Sequence, residues 1–190
     1  MHPKKERIIK AAIKKFSHQG VSNTTVQEIA KEAGVGKGTI YRYFENKEDL
    51  SHSLVELGIK RLTDRIKVRI ENLDNPINKL EVIIETKLEF YSQYYDYGKY
   101  LIREIWGHKD SFEKHIKKIR ELHTVIIEDI IKEGIDQGKF KDLNVETAAV
   151  SLIGAVNINV LHWVMFSEEF LIDEIKEDIM EIYFSGLLKP

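Results

Sequence analysis

Residues 25–44 read TVQEIAKEAGVGKGTIYRYF, and this stretch decides the fold. Thr25 and Glu28, three apart, form a capping box that opens a short helix from about Val26 to Ala33. Ala30 is a small residue inside that helix, where a second helix packs closely. Gly34, four positions later, tolerates the positive φ of a tight turn. A second short helix then runs from about Lys37 to Tyr43, anchored by Ile40, ten positions after Ala30, with Ile29 and Val35 completing a small core. This is the spacing of a helix-turn-helix, which lets the second helix stand clear and enter a DNA major groove.

Outward from this motif, apolar residues recur at helical intervals and no alternating strand pattern appears. Upstream, Ile8, Ile9, Ala12, Ile13 and Phe16 form one stripe, stopped by Gly20. Downstream, Asn46 caps a long fourth helix whose first turn carries Glu48 and Asp49. Asn75-Pro76 breaks the chain before a stripe of Leu80, Ile84, Leu88, Tyr91 and Tyr95. A short helix around Tyr100 to Trp106 and a long one from Ser111 to Gln137 follow. An apolar helix from about Val145 to Phe166 and a final amphipathic one with Ile175, Ile179, Ile182 and Tyr183 complete the chain. The expected fold is all-α with about nine helices. A three-helix domain carrying the helix-turn-helix spans residues 1–46, and a larger helical domain spans 47–190.

Composition narrows the class. With 43% hydrophobic and 32% charged residues and three prolines in 190, the chain is ordered and globular. It has no cysteine, which excludes disulfides, thiolate metal sites and a cysteine nucleophile. The N-terminal stretch carries no secretory signal, and the apolar run from Leu152 to Phe166 is too short to span a bilayer, so a cytoplasmic protein without a membrane partner is expected. The net charge is −2, but residues 1–50 hold ten Lys and Arg against six Asp and Glu, leaving the excess acid in the body. A basic module that meets an anion and an acidic body that does not is one reading; chance surface variation is the other.

The stretch Thr24-Thr25-Val26, Ile29-Ala30, Ala33-Gly34-Val35, Lys37-Gly38-Thr39-Ile40-Tyr41, Tyr43-Phe44 and Asn46-Lys47-Glu48-Asp49-Leu50 resembles the N-terminal signature of the tetracycline-repressor (TetR) family almost position by position. The resemblance covers about the first fifty residues; beyond them only helix count and length are similar. It implies a ligand-responsive transcriptional regulator, a repressor, that binds a palindromic double-stranded operator as a homodimer and is released by a small-molecule inducer. The DNA-binding candidates are Thr25, Gly36, Lys37, Gly38, Thr39, Tyr41, Arg42, Tyr43 and Lys47. Arg42 suits a guanine edge, and Tyr43 and Lys47 resemble phosphate clamps. Phe44 reads as packing. Where the family often has serine this chain has Gly36, so a hydroxyl contact is missing there.

The body holds polar residues that are odd for a plain core. Tyrosines crowd residues 91–100, His123 sits in an isoleucine stripe, and Asn159 and His162 continue the face of Leu152 and Ala155. Such groups need partners, and either neighbouring side chains or a bound ligand can supply them. The resemblance implies an inducer pocket here, with Tyr91, Tyr95, Trp106, His123, Ile127, Asn159, His162 and Trp163 as candidates and a hydrophobic or aromatic molecule as the ligand. The stretch EGIDQGKF (133–140) and Trp163-Val164-Met165 also look similar to regulators of fatty-acid metabolism that sense acyl-coenzyme A. Small residues Ala148, Ala149, Ser151, Gly154 and Ala155, with the last helix, offer a dimer surface as a four-helix bundle.

Two other classes compete. A metal-dependent helical enzyme needs ligand motifs, yet HExxH, paired ExxH and His-Asp are absent. Glu48–His52 and Glu104–His108 stand alone at one-turn spacing. A helical interaction scaffold explains the body but not the basic helix-turn-helix end. No cofactor, metal site or catalytic residue is expected.

Overall fold

The computed structural model describes residues 2–107, 123–166 and 171–189, without the side chains of 102–107. Among these residues nine helices occur: α1 (Pro3–Gln19), α2 (Val26–Ala33), α3 (Lys37–Tyr41), α4 (Lys47–Ile70), α5 (Pro76–Gln93), α6 (Tyr95–Gly107), α7 (Val125–Asp136), α8 (Val145–Phe166) and α9 (Ile172–Leu187). Among them no strand forms, and extended pairing is limited to a bridge between Phe140 and Leu188. The all-helical expectation holds. The helix expected from Ser111 lies outside the described residues in its first part.

The helices gather into two compact units. The first holds α1–α3, α4 as far as Gly58, and α6; the second holds α4 from Ile59, α5 and α7–α9. A cut after residue 46 therefore separates the first three helices from elements that pack with them.

In the first unit the capping and turn signals take their expected form. The Thr25–Glu28 capping box is complete, and Gly34 adopts φ 62°, ψ 43° to end α2. Ile29, Ala30 and Ile40 are buried where α2 and α3 meet. At the start of α4, Asp49 N–H donates to Asn46 Oδ1 at 2.7 Å.

The aromatic fill comes from α6. Tyr100 stacks on Phe16 with ring centroids 5.7 Å apart, and its hydroxyl donates to the Ser51 carbonyl at 2.7 Å. The Tyr97 hydroxyl donates to the Leu54 carbonyl. A Cβ on Gly58 would sit 2.8 Å from the Tyr97 hydroxyl and 2.9 Å from Leu101, so only glycine lets α6 lie this close to α4.

In the second unit α5 packs against α7, α8 and α9. Asn75 caps α5 by accepting from Ile77 N–H at 3.1 Å, the break expected at Asn75-Pro76. Arg65 and Arg69 on α4 pair with Glu85 and Glu89 on α5 at 2.6–2.9 Å. Each partner is about one-third exposed, so these contacts fix register more than they stabilise.

The stretch 133–140 has a structural task. Gly138 turns the chain at φ 71°, and Lys139 and Phe140 N–H both donate to the Gly134 carbonyl. This folds the buried Phe140 ring onto Gly134, into the space a Cβ would take. Lys141 N–H then donates to Leu187 O and Lys189 N–H to Lys139 O, tying the end of α9 to this turn.

One expectation about α8 fails. At 22 residues with mean hydropathy 1.6 over its most apolar window, α8 is long and apolar enough to cross a bilayer by length and composition. The run counted from Leu152 omitted Val145–Ser151, which carries a single charge, Glu146. Its buried residues are Ala148, Ala149, Leu152, Val156 and Val160, all on one side, while Val150, Ile158, Met165 and Phe166 are exposed.

Candidate functional site

The first candidate site is built on α3. Ile40 anchors the helix inward, which leaves Lys37, Gly38, Tyr41 and Arg42 on the exposed side and Thr39 half-covered. Lys37 holds its ammonium 5.8 Å from the centroid of the Tyr41 ring, itself 47% exposed. The helix is shorter than expected because Tyr43 and Phe44 N–H both turn back to the Ile40 carbonyl, leaving Arg42 as the C-terminal cap. Phe44 is buried beneath Lys5, whose ammonium lies 5.3 Å from the ring, as the packing reading requires.

Flanking groups are held in place. The Tyr43 hydroxyl lies 3.1 Å from His2 Nδ1, which also accepts from Lys4 N–H at the start of α1. Lys47 Nζ donates to the Ser22 carbonyl at 3.2 Å. Thr25 fills the capping role expected of it. Its hydroxyl donates to Glu28 Oε2 at 2.7 Å, and its N–H donates to the same oxygen at 2.8 Å. These two bonds hold the Glu28 carboxyl below its ordinary range. A phosphate contact from the Thr25 hydroxyl must therefore displace Glu28, so Thr25 serves first as a cap.

Gly36 caps α3 with ordinary extended backbone, φ −72° and ψ 148°, and a Cβ there meets nothing within 4 Å. Glycine is thus not needed sterically. Gly36→Ser is expected to raise stability by a few tenths of a kcal/mol by supplying the absent cap oxygen. A thermal melt checks this, and a drop of more than about 2 °C would contradict it.

The second candidate site lies in the second unit. Tyr91, His123 and Ile127 are all buried there. The Tyr91 hydroxyl lies 3.4 Å from Asn157 Oδ1, and burial pushes its phenol up. His123 Nε2 lies 3.2 Å from Lys87 Nζ, and Lys87 is 1% exposed. Burial pulls the lysine down to about 7 and, with the nearby Lys87 charge, holds the imidazole well below its ordinary range. Lys87 was missed in the sequence, although it stands seven residues after Leu80 on the apolar stripe of α5. A charged residue at a core position of a helical stripe was the available signal.

Other candidates fall elsewhere. Tyr95 is 40% exposed and belongs to the first unit, because the chain breaks at Tyr94 and starts a new helix. The side chain of Trp106 lies outside the described residues, as does the Glu104–His108 pair. Asn159 and His162 are not interior: both are exposed, Asn159 donating to the Ala155 carbonyl and His162 lying 5.1 Å from the Phe166 ring. His162 lies about 200° round the helix from the buried Val160 and follows Ala155, whereas Asn159 sits at the edge of the buried side, one helical turn from Ala155. Trp163 is half-buried. Ser151, Ala155, Asn159, Ile179, Ile182 and Gly186 line an apolar surface groove of about 700 Å³ on α8 and α9. Ala149 packs inward and does not reach this surface. Among the described residues no three His, Asp or Glu side chains gather as for a metal ion.

Residues 8–54 match the family described as bacterial regulatory proteins, tetR family, and residues 56–186 match the YsiA-like C-terminal region. The chain belongs to the TetR family. As a TetR-family member it is a DNA-binding, ligand-responsive transcriptional regulator that acts as a homodimer. The fatty acid metabolism regulator protein of Bacillus subtilis is 28% identical over 97% of this chain and 96% of its own length. The crystal structure of FadR from Bacillus subtilis in complex with stearoyl-CoA is similar at TM-score 0.89 and 27% identity, covering 95% of this chain and 98% of that one. The fatty acid degradation regulator FadR from Bacillus halodurans shares the fold at TM-score 0.91, covering 98% and 97% of the two chains. These relatives of the TetR-family chain are transcriptional regulators and not enzymes.

Proposed function

We propose that this regulator is a cytoplasmic, non-enzymatic repressor that leaves a palindromic operator when a long-chain acyl compound, such as an acyl-coenzyme A, binds its second unit. The single observation that carries the ligand class is the similarity, over nearly the whole of both chains, to a regulator solved with stearoyl-CoA. The apolar, buried surroundings of Tyr91 and Ile127 suit a hydrocarbon chain. Lys37, Tyr41 and Arg42 supply the DNA contact surface, with Tyr43 and Lys47 on phosphates and Gly38 and Thr39 beside them. The exposed apolar side of α8 and α9 joins a second copy of the chain, which accounts for its hydropathy without a bilayer. Effector binding reaches the DNA unit through α4, the helix that both units contain.

The DNA assignment is tested on a duplex selected from a random pool by the wild-type protein. Lys37→Ala and Lys47→Ala should each weaken binding about tenfold and flatten the dependence on log salt by about one for every phosphate that the variant no longer neutralises. Equal affinity and an unchanged salt slope for both variants exclude these two lysines. The ligand assignment is read in the same assay: micromolar stearoyl-CoA should release wild-type protein from the duplex, and coenzyme A alone should not.

A further inference from the structure

Lys87 is the one buried lysine among the described residues, and no carboxylate among them pairs with it. Buried cations are ordinarily paired, because an uncompensated charge in an apolar setting is costly. Its hydrogen-bond partner is His123 Nε2 at 3.2 Å. When Lys87 is protonated it has three donors and no acceptor, and in that state Nε2 accepts and the ring proton sits on Nδ1. His123 Nδ1 is itself buried with no hydrogen-bond partner. Beyond the Nζ–Nε2 bond, the remaining N–H donors of the pair meet no acceptor among the described residues. Around it the neighbouring turns of α5 and α7 are mostly apolar, with Ile83, Ile84, Leu88, Ile127 and Ile130 buried beside the polar Thr86 and Thr124.

A cluster of unmet donors inside an apolar shell is complementary to a molecule with one oxygen acceptor on a hydrocarbon chain. We infer that Lys87 and His123 receive the acyl oxygen of the effector, a carboxylate or a thioester carbonyl. The inference rests on the acyl reading of the second unit and names the groups that recognise the polar end of that ligand. Recognition of this kind separates an acyl compound from a plain hydrocarbon or an ether, because only the former satisfies the buried donors.

Calorimetric titration of the full-length protein tests it with three probes: stearate, stearoyl-CoA and S-octadecyl-CoA, a thioether without the carbonyl. Wild type should bind stearate or stearoyl-CoA at least tenfold tighter than the thioether. Preference for stearate identifies a carboxylate site and preference for stearoyl-CoA a thioester site. Lys87→Met should abolish the preference while leaving thioether affinity unchanged, and should melt no lower than wild type because it removes an unpaired buried cation. His123→Leu, a second variant, should reduce the preference in the same direction. If wild type prefers the acyl probe and both variants keep that preference, the assignment of Lys87 and His123 is overturned and the acyl reading stands. If wild type binds none of the three probes, the acyl reading itself fails and this inference fails with it.

Discussion

Ile182→Asp should convert the protein to a monomer at micromolar concentration and remove its binding to a full palindrome. Ile182 is 75% exposed on α9 and borders the apolar groove shared with Ser151, Ala155 and Asn159 of α8. In a two-fold dimer the same residue enters the interface from both subunits, so one substitution introduces two carboxylates. Leaving an unpaired charge in a dry contact costs several kcal/mol, and two at about 3 kcal/mol each weaken association on the order of 10⁴-fold. Because Ile182 is exposed within the protomer, folding of the single chain should survive, which far-ultraviolet circular dichroism would register. Light scattering reads the mass and a shift assay reads the operator. A dimer of wild-type mass with wild-type affinity would place the interface on another surface.

The second large effect concerns Gly134. A methyl group there would lie 2.1 Å from Phe140 Cδ2 and 2.2 Å from Cε2, well inside any allowed contact. The ring cannot yield inward, since Phe140 is fully buried, and its backbone is held because its own N–H and that of Lys139 both donate to the Gly134 carbonyl. Gly134→Ala therefore either strains α7 or expels the ring, and either route costs about 3 kcal/mol. For a chain of this size that lowers the melting midpoint by roughly 6–12 °C. The double variant Gly134→Ala with Phe140→Ala should lose much less than the sum of the two single changes, because the methyl fills space that the ring has left. A Gly134→Ala protein that melts beside wild type would show that the Phe140 contact is not a fixed element of the fold.

The helix-turn-helix end was legible because its determinants are local. A capping box, a left-handed glycine and an apolar anchor at Ile40 each act within a few residues, and short-range rules read them directly. The body was legible only in outline. The stripe from Leu80 to Tyr95 runs in sequence across Tyr94, but the helix does not, so the tyrosine patch divides between the two units. On α8 nearly every residue is apolar, and a pattern without contrast cannot reveal which side is buried; Asn159 and His162 were consequently assigned inward. Lys87 escaped notice for the opposite reason. Lysines on helices are usually solvated, and its place on the apolar stripe of α5 was a faint signal beside its distant partner His123. The EGIDQGKF stretch was read through its likeness to regulators of fatty-acid metabolism, which the similar proteins bear out, but its packing task at the Gly134–Phe140 contact was not visible. Long-range pairing of this kind has no signature in a single chain.

The return of α6 to the first unit bears on how such proteins can be rearranged. Tyr100 stacks on Phe16 and hydrogen-bonds to Ser51, while Tyr97 reaches Leu54. A chimera joined after residue 46 or 58 would graft the DNA reader without the tyrosines that fill its interior. Its foreign body would then have to supply a matching pair of phenols against Phe16 and α4. Transplantation of operator specificity onto another sensor thus requires the segment that starts at Tyr94 as well as the first fifty-eight residues. Reader and sensor are interleaved along the chain, so each constrains the sequence in which the other can vary.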